Sequence, residues 1–163
     1  PNPVMFLESE MLYGLKGEVE EGEYLIPIGE ADIKRPGTDV TVITWGKILH
    51  KAIQACEEAK KLNIDVELID IRSISPLDEE AIFKSVRKTN RCVIVEENWP
   101  MASVGSYIIE RIQTECFDAL DAPIKKVSQA NIPVPYSEIL EKQALPSIEN
   151  IMEAIKGVSY YKL

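Results

Sequence analysis

With 163 residues, 45% of them hydrophobic, the chain carries enough apolar material for one domain with a real core, and that excludes disorder. A net charge of −9 argues against nucleic acid, where basic side chains on phosphates supply most of the affinity, and it suits a basic partner instead. No apolar run approaches the roughly 18 residues needed to cross a bilayer, and no signal peptide is visible.

The chain begins PNP rather than with Met, so the true N-terminus is expected elsewhere. VMFLE (4–8) reads as a short buried strand with no partner strand before it, and GLKGEVEEGEY (14–24) reads as an acidic loop. In YLIPIGEADIKRPG, Gly29, Ala31 and Ile33 alternate with charged positions, which predicts a half-exposed strand ended by the Pro36-Gly37 turn. From residue 39 the pattern is regular. VTVIT, led by Val40, is a β-branched run expected to be buried on both faces. KILHKAIQACEEAKKL (47–62) spaces its apolar residues as a helix does. VELIDI (66–71) is the next strand. SPLDEEAIFKSVRKT (75–89) opens with Ser, Pro and acids and closes with cations, as a helix should. CVIVEE (92–97) is a third regular strand, VGSYIIERIQTECF (104–117) a helix and IKKVS (124–128) a short strand. After a Pro-rich turn come a helix near 137–143 and a last one near 147–157, with Ser147 as its N-cap. Alternating strands and helices predict an α/β fold, a mostly parallel sheet flanked by helices.

Ligands in such sheets bind beyond the carboxyl ends of the strands, so the strand exits are the places to look for chemistry. The first exit has the single glycine Gly46, not G-x-G-x-x-G, and no phosphate-cradling G-x-x-x-x-G-K-[ST] occurs anywhere. At the second, Asp70 is either a phospho-acceptor or metal acid, for which Glu96 and Glu97 are the only partners on offer, or a structural pair with Arg72; the pair is the simpler reading. His50, the one histidine, falls mid-helix beside the apolar stripe and away from every strand exit, which suits a surface or edge-of-core role. Cys56, Cys92 and Cys116 form no C-x-x-C and read as buried thiols rather than disulfides or zinc ligands. The third exit, EENWPMASVGS, is the richest. Either Trp99 covers the core edge in a plain connection, or Trp99, Pro100 and Met101 present an apolar surface while V-G-S lets a helix N-terminus approach a partner.

Long blocks then carry a resemblance. NPVMFLESEMLYG, LIPIGEADIKRPGTDVTVITWG, IDIRSISPLDEEAI, SVRKTNRCVIVEENWPMASVGSYI, LDAPIKKVSQANIPVPYSEILEKQALP and SIENIMEAIKG cover essentially the whole chain. They resemble the beta subunits of the decarboxylating component of 2-oxo acid dehydrogenases, most closely the pyruvate type of alpha-proteobacteria and mitochondria. The W-P-x-x-x-V-G loop and the D-A-P…P-x-P-Y block favour pyruvate over the branched-chain and acetoin enzymes. A stand-alone α/β binding module sharing only the fold is the competing class, and the orphan strand VMFLE is the feature expected to separate the two.

The resemblance implies a transketolase C-terminal domain-like fold for residues 38–163, with residues 1–37 as the tail of the preceding pyrimidine-binding domain and its linker. It implies a thiamine-diphosphate- and magnesium-dependent enzyme feeding acetyl-CoA synthesis, cytoplasmic in a bacterium or in the mitochondrial matrix of a eukaryote. The family's catalytic glutamate and histidine and its diphosphate and magnesium ligands lie outside the blocks matched here, so no catalytic, cofactor or metal residue is carried over, His50 included, and the chain alone is expected to be inactive. What is carried over is contact. The implied partners are the alpha subunit and a second beta subunit of an alpha2-beta2 heterotetramer, and the basic subunit-binding domain of the dihydrolipoyl acetyltransferase. Asp121, with the terminal carboxylate at Leu163, matches the acetyltransferase-docking position, and Trp99, Pro100 and Met101 match a loop between subunits. The sequence departs at Asn98, commonly glycine, and at Gln129-Ala130-Asn131, commonly G-A-D, so no charged contact is carried onto Asn131.

Overall fold

The computed structural model describes residues 2–160. Five strands form one sheet in the order β1-β3-β2-β4-β5: β1 (Asp32–Arg35), β2 (Val40–Thr44), β3 (Val66–Asp70), β4 (Cys92–Val95) and β5 (Lys125–Val127). β2, β3, β4 and β5 run parallel, and β1 lies antiparallel along the β3 edge. The helices are α1 (Leu49–Lys61), α2 (Glu79–Thr89), α3 (Val104–Cys116), α4 (Glu138–Ala144) and α5 (Ile148–Ser159). This is the α/β sandwich the alternation of elements predicts. The sheet itself begins at Asp32, so the stretch ahead of residue 38 contributes its edge strand.

Every residue of β2, β3 and β4 is buried, as expected of strands covered on both faces. Successive side chains feed two separate cores. Val40, Val42, Val66, Leu68, Val93 and Val95 pack under α1 and α5, while Ile43, Ile69, Cys92 and Ile94 pack under α2 and α3. All three cysteines are buried and free. Gly37 is required where it stands, because an added Cβ would lie 2.2 Å from the Val66 carbonyl carbon.

Helix ends follow local chemistry. Ser147 caps α5 in a reciprocal box with Asn150, as its position after Pro146 predicts. α2 starts later than the expected opening at Ser75-Pro76. Asp78 accepts from the Ala81 N–H at 3.0 Å with one oxygen and from the Ala31 N–H at 2.8 Å with the other, so the helix begins where the stronger cap sits. α2 ends at Asn90, in the left-handed region at φ 60°, a conformation asparagine tolerates.

The expectation of a buried strand at 4–8 fails. Val4, Met5, Phe6 and Leu7 are exposed, and apart from a short 3-10 turn at Glu10–Leu12 nothing regular forms before β1. A strand needs a neighbour to take its backbone hydrogen bonds, and residues 4–8 pair with no strand among the described residues. The separation between hypotheses that rested on an orphan strand goes with it. What stands in its place is an exposed apolar run that also includes Met11, Tyr13, Leu15, Tyr24, Leu25 and Ile26.

Candidate functional site

The crossover through α1 carries the chain from β2 to β3 on one side, and the crossover through α2 carries it back past β2 to β4. The direction of winding therefore reverses between β2 and β4, and the crevice beyond their carboxyl ends is where a fold of this kind offers a ligand site. Across that crevice the chain's own charges meet. Lys47, just after β2, reaches Glu97, just after β4, at 3.4 Å. Thr44 Oγ1, at the end of β2, is the buried side-chain polar atom without a hydrogen-bond partner among the described residues.

Glu96 follows β4 and is completely buried. One carboxylate oxygen accepts from Ser103 Oγ at 2.5 Å and the other from the Gly105 N–H at 3.0 Å. Lys126, from β5, brings its ammonium to 3.4 Å from Glu96 and donates to the Pro100 carbonyl at 2.6 Å, to Ser106 Oγ at 2.8 Å and to Ser103 Oγ at 3.0 Å. Ser103 is also the N-cap of α3, accepting from the Ser106 N–H. The positive end of a helix dipole attracts anions; at α3 the anion is Glu96 itself. The glycine of V-G-S serves this contact and not a partner, because a Cβ on Gly105 would lie 2.8 Å from Glu96 Oε1.

Above this buried network the loop turns outward. Trp99 is 38% exposed and Met101 74%, with Pro100 half-buried between them. Ala102 takes a left-handed φ of 55° just before the α3 cap. Trp99 therefore does not seal the core edge; the loop offers an apolar surface.

The other sequence-predicted residues lie apart from it. Asp70 is held by the Arg72 N–H at 3.2 Å, and Arg72 pairs in turn with Asp32. Burial pushes the Asp70 carboxyl up, opposed by that N–H and by the Lys34 and Arg72 cations. This is the structural pair, and among the described residues no cluster of three acids, histidines or cysteines has metal-binding geometry. His50 is exposed on α1. Asp121 is exposed ahead of β5, its carboxylate 3.6 Å from Arg91 and its N–H donating to the Asn90 carbonyl at 2.8 Å. Since Arg91 precedes β4 and Glu96 follows it, Asp121 and Trp99 belong to opposite ends of the sheet. Leu163 lies outside the described residues.

Two charged side chains escaped the sequence reading: Lys126 and Glu67. Glu67, the second residue of β3, is 2% exposed and receives the Ser85 hydroxyl at 2.5 Å, the Gly37 N–H at 3.3 Å and the Lys88 ammonium. A charge inside a strand buried on both faces must find partners, and that rule would have marked Glu67 from VELIDI.

The transketolase C-terminal domain family model matches residues 29–151. The chain belongs to that family. The match takes in β1 and the loops at the switch point. Pyruvate dehydrogenase E1 component subunit beta of Rickettsia felis is 48% identical over 162 residues, covering 99% of this chain and 50% of that protein. A mitochondrial counterpart, subunit beta-2 of Oryza sativa subsp. japonica, is 42% identical across 98% of this chain and 44% of its own length. The beta subunit of acetoin:2,6-dichlorophenolindophenol oxidoreductase from Bacillus subtilis is 45% identical across 93% of this chain and 44% of that protein. The chain thus spans about half the length of the curated relatives it matches. Among solved structures, a split-gene transketolase described as an inactive beta4 tetramer superposes with a TM-score of 0.75 at 23% identity, covering 90% of this chain and 47% of that one, which shows the fold.

Proposed function

We propose that this chain is the C-terminal part of the beta subunit of a thiamine-diphosphate-dependent pyruvate dehydrogenase, where it serves subunit assembly and docking of the acetyltransferase component. The observation that carries the reading is identity of 42–48% to pyruvate dehydrogenase beta subunits over 98–99% of the chain. In this reading residues 1–37 include the tail of the preceding domain, and the exposed apolar residues between Val4 and Ile28 pack against the remainder of the beta subunit. Trp99, Pro100 and Met101 meet a neighbouring subunit at one end of the sheet. Asp121, at the other end, meets the basic subunit-binding domain.

In this reading the thiamine diphosphate and magnesium are held by the alpha subunit and the rest of the beta subunit, and this domain shapes their assembly. The acetoin relative at 45% identity supports a second reading of the substrate, because its identity lies close to that of the pyruvate relatives.

The test is binding of an isolated subunit-binding domain, measured against salt. Asp121→Ala is expected to weaken it by about 2 kcal/mol, roughly 30-fold, since removing one partner of a desolvated charge pair costs that much. Unchanged affinity removes Asp121 from the interface. Pyruvate turnover by the purified chain supplied with thiamine diphosphate and magnesium overturns the division of labour.

A further inference from the structure

We propose that Lys126, oriented by the buried Glu96 carboxylate, is the positioning residue that fixes the 97–103 loop and thereby the shape of the apolar surface carrying Trp99 and Met101. The proposal rests on the interface reading above only for the identity of what the surface meets.

The geometry carries it. The Lys126 side chain is 15% exposed although β5 is an edge strand, where a lysine could turn to water. Instead its ammonium reaches inward to acceptors of three kinds: the Glu96 carboxylate, the Pro100 carbonyl in the middle of the loop, and the Ser103 and Ser106 hydroxyls on the first turn of α3. Glu96 does not need the lysine for its hydrogen bonds, since Ser103 and the Gly105 N–H already occupy both oxygens. What the lysine adds is the tie to Pro100.

That tie falls where the loop is otherwise weakest. Met101 is largely solvent-facing and Trp99 is 38% exposed, so packing holds the segment only in part. Asn98 is tied through its carbonyl to the Gln129 N–H, at 3.3 Å. Ala102 sits in the left-handed region, which a residue with a Cβ keeps only where its surroundings over-determine it. Lys126 grips the backbone two residues before Ala102 and the side chain one residue after it. A buried ion pair is a weak source of stability, because an apolar pair of similar volume usually does as well. Its value here is directional: one cation selects one loop conformation.

The experiment uses the chain in a Trp45→Phe background, so that Trp99 is the sole tryptophan, and compares Lys126→Met, Lys126→Arg and the neutral pair Glu96→Gln/Lys126→Met. The readouts are acrylamide quenching of Trp99, thermal melting, and affinity for the alpha subunit. The neutral pair is expected to melt close to the parent while quenching of Trp99 rises about twofold, as local ordering is lost without global unfolding. Its affinity for the alpha subunit should fall roughly tenfold, because an interface that must be ordered on binding loses preorganisation. Lys126→Arg, which keeps the charge and the reach, restores both. Wild-type quenching in the neutral pair overturns the proposal, and so does global unfolding of that variant, which would make the pair part of the core. Looser Trp99 with unchanged affinity keeps the positioning role and removes the loop from the interface with the alpha subunit.

Discussion

Two glycines in helices give opposite answers to one substitution. Gly105 is the second residue of α3, and a Cβ there meets Glu96 Oε1 at 2.8 Å, Cδ at 2.9 Å and Oε2 at 3.0 Å. The carboxylate cannot retreat, because Ser103, the Gly105 N–H and Lys126 hold it from three directions. Overpacking of this kind costs about 1–3 kcal/mol, and stretching a charge-assisted hydrogen bond to a buried acid adds up to about 1.5 kcal/mol. The intrinsic gain from replacing a helical glycine by alanine returns at most about 1 kcal/mol. Gly105→Ala should therefore destabilise the chain by about 2 kcal/mol, a fall in Tm of roughly 4–8 °C for a domain this size. Gly157, in α5, has nothing within 4 Å of an added Cβ. Gly157→Ala should stabilise by about 0.5–1 kcal/mol through propensity alone. Urea denaturation followed by circular dichroism measures both. If Gly105→Ala raises the midpoint as Gly157→Ala does, the Glu96 carboxylate is not packed on the first turn of α3 and the account of the strand exit is wrong.

Further outcomes follow from the buried charges. Lys88→Met leaves Glu67 with Ser85 and the Gly37 N–H but no counter-charge, and should cost about 2–3 kcal/mol on denaturation; a cost near zero would show that the two hydrogen bonds suffice. Burial pushes the Cys56 thiol up to about 12 and raises those of Cys92 and Cys116 as well. A thiol reagent at pH 8 should accordingly label the native chain only as fast as it opens, and all three sites at once in denaturant. The Arg111 guanidinium, with help from the Tyr107 hydroxyl, holds the Glu79 carboxyl below its ordinary 4.5. A depressed carboxyl contributes stability that is complete above the unfolded value and is lost as pH falls through the folded one. The stability difference between wild type and Glu79→Gln should thus be flat from neutral pH down to about 5 and shrink below 4.5, vanishing in acid; a difference that grows in acid contradicts the pairing.

How much of this the sequence disclosed depended on the range of the interaction. β2, a continuous β-branched run, was legible as a strand buried on both faces, and β4 was legible as a strand. The α5 cap was legible because Ser147 and Asn150 are three residues apart. The start of α2 was less so, since Asp78 wins that role partly through the Ala31 N–H, 47 residues away in the chain. VMFLE has the composition of a strand, yet composition cannot supply a neighbour. At the strand exit the acids, the tryptophan and the small residues of EENWPMASVGS marked the place but not the arrangement. The cation that organises it comes from IKKVS, where nothing local distinguishes Lys126 from Lys125; strand register alone turns the first inward and leaves the second exposed.

The two buried acids show how the domain divides its labour. Glu67 binds α2 and the Gly37 turn to the entry half of β3, and Glu96 binds α3 and β5 to the exit of β4. Both stitched helices lie on the same face, and Arg111 of α3 joins them again through a two-point contact with Glu79 of α2. The opposite face meets the sheet mainly through aliphatic side chains of α1 and α5, with Arg35 of β1 adding contacts to the Cys56 carbonyl and Glu57 of α1. Apolar contacts set how firmly a helix is held but tolerate small shifts along its axis, whereas directional charge pairs select one register. The stitched face is the one from which the Trp99 loop departs into α3. If the Trp99 loop meets a neighbouring subunit as proposed, it needs a fixed base more than a strong one, and Glu67, Glu96 and Lys126 supply polar ties on that side of the sheet.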